Sequence, residues 1–273
     1  MQTDTISRRA EAARTAPVLP LVHTPFVSVI VPTYCEAGNV RELVERIDAA
    51  LRYEYPAYEI ILVDDNSGDG IEEEVARLQD ERYPVRVIVR RDERGLSTAV
   101  LRGFDEALGD VLVCMDADLS HPPEKLPEMI AAATAPETDF VIGSRYVAGG
   151  GTDSQWSWFR RWNSRIATWM ARPFSTARDP LAGFFALPRD VYQRCSTLDP
   201  VGYKIGLELM VKGKCRRIQE IPILFSDRKR GQSKLTITEQ MRYLRHLKRL
   251  ADFKYGTITS LLTFRTAKQT SDK

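Results

Sequence analysis

The sequence predicts an α/β fold with a mostly parallel central sheet flanked by helices, and three observations predict it. Between residues 26 and 142, short apolar runs rich in Val and Ile alternate with segments whose apolar residues recur at helical spacing. The apolar runs lack polar alternation, which marks strands buried on both faces. Several of them stop at acidic or polar clusters, where parallel α/β sheets keep their ligand sites.

Each element follows from its residues. Residues 1–25 are polar and Ala/Arg-rich, carry Pro17, Pro20 and Pro25, and read as a flexible tail. The run 26–31 is a buried strand ended by Pro32. Asn39 is placed to cap a helix whose apolar face is Val40, Leu43, Val44, Ile47 and Leu51. A second strand, 59–63, ends at Asp64-Asp65-Asn66-Ser67, and a helix follows at 71–79. The strand 85–89, the helix 97–108 and the strand 111–115 come next. That last strand runs into Asp116-Ala117-Asp118-Leu119-Ser120-His121-Pro122-Pro123. A helix at 126–133 and a strand from 140 lead to Gly143-Ser144-Arg145.

Beyond Gly149-Gly150-Gly151 the pattern loosens. The segment 156–171 reads as a helix whose Trp156, Trp158, Trp162 and Trp169 are core aromatics, with contact to a lipid surface as the alternative. A Gly/Phe-rich stretch at 179–187, a helix near 202–211, a strand near 218–225 and a basic loop follow. The last helix, about 236–253, is amphipathic, with Ile237, Met241, Leu244, Leu247 and Leu250 on one stripe and Arg242, Arg245, Lys248 and Arg249 around it. Nothing in the sequence forces a second domain: residues 26–254 read as one unit, and 255–273 as a tail.

Bulk properties exclude several classes. The formal net charge of +2 argues against a nucleic-acid binder, although the region 204–254 is locally basic and suits an anionic partner. Cys35, Cys114, Cys195 and Cys215 are scattered without CxxC spacing, which points to reduced thiols in the cytoplasm. The charged N-terminus does not resemble a secretory signal. No stretch reaches the roughly 18 apolar residues that span a bilayer.

Three strand-end clusters carry the chemistry: Pro32-Thr33-Tyr34-Cys35-Glu36, Asp64-Asp65-Asn66-Ser67 and Asp116-Ala117-Asp118. A lone Asp-x-Asp reads equally as a solvated turn. In a parallel sheet, however, all three clusters converge on one edge. Two close carboxylates repel unless a positive group lies between them, and a hard divalent cation holding a phosphate satisfies both needs. The position after the first strand lacks G-x-G-x-x-G and the chain has no P-loop, so a dinucleotide oxidoreductase is disfavoured.

The ordered series P-x-Y-x-E, VDDNSGD, RGLSTAVLRGF, MDADLSHPPE, GSRY, DPLAGFFA, GYKIGLE and F-x-x-R-x-x-G-x-S-K resembles the family 2 glycosyltransferases over about residues 27–250. The series is closest to their dolichyl-phosphate and polyprenyl-phosphate mannosyltransferase branch. The resemblance implies a GT-A fold, a Rossmann-like nucleotide-binding sheet joined to an acceptor-binding half. It also implies an inverting, metal-dependent transferase that uses a sugar nucleotide, most often GDP-mannose, and a polyprenyl or dolichyl phosphate.

Carried over by motif, Pro32, Tyr34, Glu36 and Asp65 line the nucleoside pocket, and Asp116 and Asp118 hold Mg2+ or Mn2+ against the diphosphate. Ser120 stands where some relatives have a Gln ligand, and is too short to coordinate as Gln does. Arg145, Arg160, Ser164, Arg228 and Lys234 fall at the acceptor phosphate, with Asp118, Arg145 and Arg228 as the catalytic set. Asp179 is placed to orient the acceptor. The resemblance further implies peripheral attachment to a membrane surface, through the last helix or a small membrane-anchoring subunit. The alternatives are a UDP-sugar as donor and a non-catalytic sugar-nucleotide-binding protein on the same fold.

Overall fold

The structure, a computed structural model, describes residues 26–152, 158–199, 201–202, 204–226 and 237–256, the side chains of 158–161, 163 and 237–239 excepted. Its strands are β1 (Val27–Thr33), β2 (Tyr58–Asp64), β3 (Val85–Val89), β4 (Val111–Cys114), β5 (Phe140–Ser144), β6 (Gly151–Thr152), β7 (Phe185–Pro188), β8 (Ile218–Pro222) and β9 (Leu224–Phe225). Its helices are α1 (Ala37–Leu51), α2 (Ile71–Asp80), α3 (Leu96–Glu106), α4 (Leu126–Thr134), α5 (Trp158–Ala171), α6 (Arg189–Gln193), α7 (Ile205–Lys212) and α8 (Ile237–Tyr255).

Seven strands form one sheet in the order β3-β2-β1-β4-β7-β5-β8. All neighbours pair in parallel except β7, which runs antiparallel to both β4 and β5. Side-chain alternation along the strands builds two apolar layers. Val27, Val29 and Val31 of β1 face one layer with Ile60 and Leu62 of β2 and with helices α1, α2 and α4. Ile30, Ile61 and Val63 face the other, with α3, α7 and α8. The face of α1 anticipated from its spacing, Val40, Leu43, Val44, Ile47 and Leu51, is fully buried. Each such side chain contributes about 1.5–3 kcal/mol by leaving water.

Several elements differ from expectation, for local reasons. Helix α1 begins before Asn39, whose side chain instead donates from Nδ2 to Glu36 Oε2 at 2.6 Å. The carboxylate of Asp69, in the loop after β2, accepts the Ala37 N–H at 2.9 Å and does the capping across the sheet edge. The Gly/Phe-rich stretch supplies β7, a strand too short to show a period. The run near 218–225 splits: β8 stays in the large sheet, while β9 leaves it to pair with β6.

The tryptophans and the last helix are also corrected. Trp162 and Trp169 are exposed rather than core residues, while Trp156 and the Trp158 side chain lie outside the described residues. On α8 the buried face is Tyr243, His246, Leu247 and Leu250, and Met241 and Leu244 point outward. The Tyr243 hydroxyl turns this helix, donating to the Ala167 carbonyl of α5 at 2.7 Å.

Helix α3 lies close on the sheet because Gly103 has no side chain. A Cβ there would sit 2.4 Å from Ile30 Cγ2 and 3.2 Å from Val63 Cγ2. Gly103→Ala is therefore expected to destabilise the fold by about 1–3 kcal/mol, the usual cost of overpacking. A lower urea midpoint at unchanged slope would register it.

Candidate active site

Strand order places the site. The chain runs outward through β1, β2 and β3, then returns to β4 on the other side of β1. Adjacent strand ends at such a reversal diverge and leave a crevice. Pro32, Thr33, Tyr34, Glu36, Asp65, Leu96, Ala99, Asp116, Ala117 and Asp118 line a solvent-open cleft of about 190 Å³ there. All six residues anticipated on the donor side are among them. The β1–β4 pairing ends at Ile30 with Cys114, and Pro32 and Asp116 follow two residues later on the two chains.

Each loop on this edge turns sharply on a residue in the left-handed region: Cys35 (φ 59°), Asn66 (φ 55°) and Leu119 (φ 61°). Left-handed backbone costs a non-glycine residue roughly 1–2 kcal/mol, and such strain clusters at functional sites. Hydrogen bonds hold the turns. Asp64 accepts from Thr33 Oγ1 at 3.1 Å, Ser67 N at 2.8 Å and Ser67 Oγ at 2.6 Å. Ser67 Oγ in turn accepts the Cys35 N–H at 2.8 Å, tying the first two loops together.

Asp65 is held by a residue that sequence reasoning missed. Arg90, just past β3, is as buried as Asp65 and pairs with its Oδ1 through both Nε and Nη2. The same guanidinium reaches Thr98 Oγ1 at 2.8 Å and the Gly95 carbonyl at 2.9 Å. The Gly95 N–H donates to Asp65 Oδ2 at 2.7 Å, from a backbone at φ 145° that glycine tolerates. Asp65 thus couples the cleft to the start of α3. The available signal was a charged residue directly after an apolar strand.

The Asp pair is asymmetric. Asp118 is buried, and its Oδ1 accepts from Ser120 N at 3.0 Å and Ser120 Oγ at 2.5 Å. Ser120 therefore acts on Asp118, fixing its rotamer. The Asp116 side chain is 26% exposed, and its backbone N–H donates to His121 Nδ1 at 3.0 Å. That bond leaves the imidazole proton on Nε2. The His121 ring is buried within its loop, stacked on Phe184 with the edge of Phe225 nearby. Burial lowers its pKa against the opposing pull of Asp116 and Asp118, so the ring is neutral.

Two carboxylates are hard oxygen donors of the kind that suit Mg2+ or Mn2+. Among the described residues no third His, Cys, Asp or Glu completes a metal cage. The donor set fits a cation that takes its remaining ligands from a bound phosphate and water, as Mg2+ commonly does.

Beside this edge lies a cationic centre. Arg145, just after β5, donates from Nε to Asp179 Oδ2 and from Nη2 to Asp179 Oδ1, both at 2.8 Å. Asp179 is fully buried and also accepts the Arg145 backbone N–H at 3.1 Å. Burial works against the Arg145 charge, but the Asp179 pair outweighs it and raises the guanidinium pKa. The partner of Asp179 is thus Arg145, which it orients. Arg145 stands over the Tyr146 ring at 5.3 Å, and the Tyr146 hydroxyl meets Ser164 Oγ at 2.8 Å. Arg145 and Ser164 therefore share one neighbourhood. Arg228, Lys234 and the Arg160 side chain lie outside the described residues.

Lys204, in the GYKIGLE motif, is a second residue that sequence reasoning passed over. It donates to the Leu181 carbonyl at 3.0 Å. Burial, then the Arg145 charge, brings its pKa down to about 8, with Asp179 and Asp116 opposing. Its electrostatic neighbours belong to both sides of the site.

Comparison with known proteins places the chain in a family. The model of glycosyl transferase family 2 matches residues 28–195. A dolichol-phosphate mannosyltransferase of Saccharomyces cerevisiae is 44% identical over 243 residues, covering 86% of this chain and 90% of that protein. One from Pyrococcus furiosus is 45% identical over 242 residues, covering 87% of this chain and 67% of that protein. Among solved structures, a mannosyltransferase of Pyrobaculum calidifontis in complex with GDP-Man and Mn2+ superposes with a TM-score of 0.60 at 20% identity. That match covers 90% of this chain and 69% of the other, and it speaks for the fold alone.

The Arg90–Asp65 pair yields a direct test. Arg90→Leu leaves a buried carboxylate without its cation, an expected loss of about 3–5 kcal/mol. The double variant Arg90→Leu with Asp65→Leu is expected to recover part of that stability. Denaturant unfolding of the single and double variants measures both.

Proposed function

The chain belongs to glycosyl transferase family 2, and from that premise we propose that it transfers mannose from GDP-mannose to a polyprenyl phosphate of the dolichyl kind. The observation that carries the reading is the position of Asp116. It lines the cleft with Pro32, Tyr34, Glu36 and Asp65, and its charge is felt by Arg145. A diphosphate edge and a phosphate-binding cation thus lie side by side.

The residues divide the work. Pro32, Tyr34, Glu36 and Asp65 receive the nucleoside, with Asp65 held rigid by Arg90. Asp116 and Asp118 hold Mg2+ or Mn2+, which when bound offsets the charge developing on the departing diphosphate. The acceptor needs no strong base: a phosphate monoester, with a second pKa of about 6, is already an anionic nucleophile at neutral pH. It needs cations that fix it in line with the anomeric carbon. Arg145, its orientation set by Asp179, supplies one, with Ser164 beside it through Tyr146. The motif positions of Arg160, Arg228 and Lys234 supply the others.

The lipid acceptor requires a membrane face. No helix among the described residues is long and apolar enough to cross a bilayer. Helices α5 and α8 instead present Trp162, Ile166, Trp169, Met241 and Leu244 to solvent, with Arg165, Arg242, Arg245 and Lys248 exposed among them. Apolar side chains ringed by basic ones suit an interface with anionic headgroups, where each basic residue adds about 1 kcal/mol.

Incubation with GDP-mannose, UDP-sugars and polyprenyl phosphate is expected to give a mannosyl lipid that vanishes with EDTA and returns with Mn2+ or Mg2+. Asp118→Ala should lower kcat by about 10²–10³-fold, the scale of lost transition-state electrostatics. Lipid product from UDP-glucose in preference to GDP-mannose would overturn the donor, and no product from any donor would overturn the enzyme. The membrane face is tested by co-sedimentation: binding to anionic vesicles at low salt should weaken in Trp162→Ser with Trp169→Ser. Absence of binding at low salt contradicts it.

A further inference from the structure

Lys204 stands where the two halves of the site meet. Its Nζ donates to the carbonyl of Leu181, in the middle of the short loop 179–183. One end of that loop is Asp179, locked to Arg145 by two hydrogen bonds of 2.8 Å. The other end is Gly183, packed so closely on the donor edge that a Cβ there would lie 3.4 Å from Asp116 Oδ1 and 3.4 Å from His121 Cε1. A single loop therefore touches a carboxylate of the donor side and carries the partner of the acceptor-side arginine. Lys204 grips it between these two points.

The segment that presents Lys204 is itself held by three helices. Ser97 Oγ, in the first turn of α3 beside the cleft residue Leu96, donates to the Gly202 carbonyl at 2.7 Å. His246 Nδ1 of α8 meets the Val201 carbonyl at 3.0 Å. The Asp199 N–H donates to Glu208 Oε1 of α7 at 2.8 Å. Lys204 then immediately precedes α7, whose residues are almost all buried. A lysine on so constrained a backbone does not sample solvent as a surface lysine does. The lowering of its pKa to about 8 agrees with a desolvated ammonium among Arg145, Asp179 and Asp116.

Resting on the transferase reading above, we infer that Lys204 is a positioning residue for sugar transfer: its ammonium tethers loop 179–183 and so sets Arg145 relative to Asp116. Placement errors of about 1 Å in such a site can cost 10²-fold in rate. The effect belongs to the transfer step, because neither Lys204 nor Leu181 is among the residues that line the donor cleft.

The test uses the full chain and the Lys204→Met variant, which keeps the aliphatic stem and removes the charge and the donors. Its kcat for mannosyl transfer should fall about 10²-fold, while the Kd for GDP-mannose with Mn2+, measured by calorimetry, stays unchanged. Lys204→Arg, which keeps a cation with donors, should recover most of the loss. Hydrogen exchange in loop 179–183 should accelerate in Lys204→Met while β1 and β2 keep their protection.

Parent-like kcat in Lys204→Met, a loss confined to donor affinity, or a Lys204→Arg loss equal to that of Met overturns the inference. An inactive parent overturns the transferase reading, whereas unchanged loop exchange overturns the tether whatever the activity. Where Lys204→Met does not fold, Lys204→Gln is read in its place; failure of both to fold makes Lys204 a stability residue and overturns the inference.

Discussion

The reversal of strand order between β1 and β4 is the constraint on which the site depends. Parallel strands end on a common edge, but neighbouring loops usually crowd one another. Only where one connection leads outward and the next returns on the opposite side do two adjacent strand ends stay uncovered. Here those ends lead to Pro32 and Asp116, both of which line the crevice. β2, on the far side of β1, brings Asp65 within reach, with its N–H on the Thr33 carbonyl at 3.1 Å. The inverted strand β7, beside β4, leads directly from loop 179–183. Donor and acceptor elements are thus neighbours in one sheet, whatever their distance along the chain.

This edge gathers more carboxylates than an apolar sheet can leave uncompensated, and each is handled differently. Asp64 receives three neutral hydrogen bonds from Thr33 and Ser67, enough to satisfy it without a cation. Asp65 takes a full guanidinium from Arg90. Asp179 takes another from Arg145. Asp116 differs: among the described residues no hydrogen bond reaches its carboxylate, and its nearest charged-type neighbour is the neutral His121 ring at 3.9 Å. In a cluster where structural carboxylates are paired internally, the carboxylate without an internal donor is the one suited to an external cation.

Much of this was legible in the sequence, and the remainder was hidden for identifiable reasons. The parallel strands could be read because burial on both faces demands runs such as Val29-Ile30-Val31 and Ile60-Ile61-Leu62. That Pro32, Tyr34, Glu36, Asp65, Asp116 and Asp118 share one cleft could be read because strand ends in such a sheet converge. β7 was not legible: four residues ending in Pro188 show no period, and its direction is set by pairing between β4 and β5. The left-handed turns at Cys35, Asn66 and Leu119 were equally hidden, since two of the three residues have no preference for that conformation. Arg90 and Lys204 look like surface cations until tertiary structure engages them, Arg90 buried against Asp65 and Lys204 bonded to the Leu181 carbonyl. On α8, Leu247 and Leu250 face inward as anticipated, but Met241 and Leu244 do not, because Tyr243 and His246, polar at one end and apolar in the body, take the inner face.

The contrast between Asp116 and Asp118 follows from Ser120. A serine two residues after an aspartate can turn its own N–H and hydroxyl back onto the carboxylate, and the left-handed Leu119 between them makes that turn. One carboxylate oxygen of Asp118 is thereby committed before any ligand arrives, and burial holds its rotamer. Asp116 keeps the greater exposure. A cation bridging the two would meet one pre-oriented ligand and one adaptable ligand. Were Mg2+ or Mn2+ held there, Asp118 would offer it a rotamer already fixed by Ser120, and Asp116 a more exposed side chain able to adjust. A longer side chain at position 120 could reach the cation itself, whereas serine spends its hydroxyl on Asp118. What position 120 does in this structure is fix the Asp118 carboxylate; toward a bound cation that would be the outer-sphere role that tunes many metal sites.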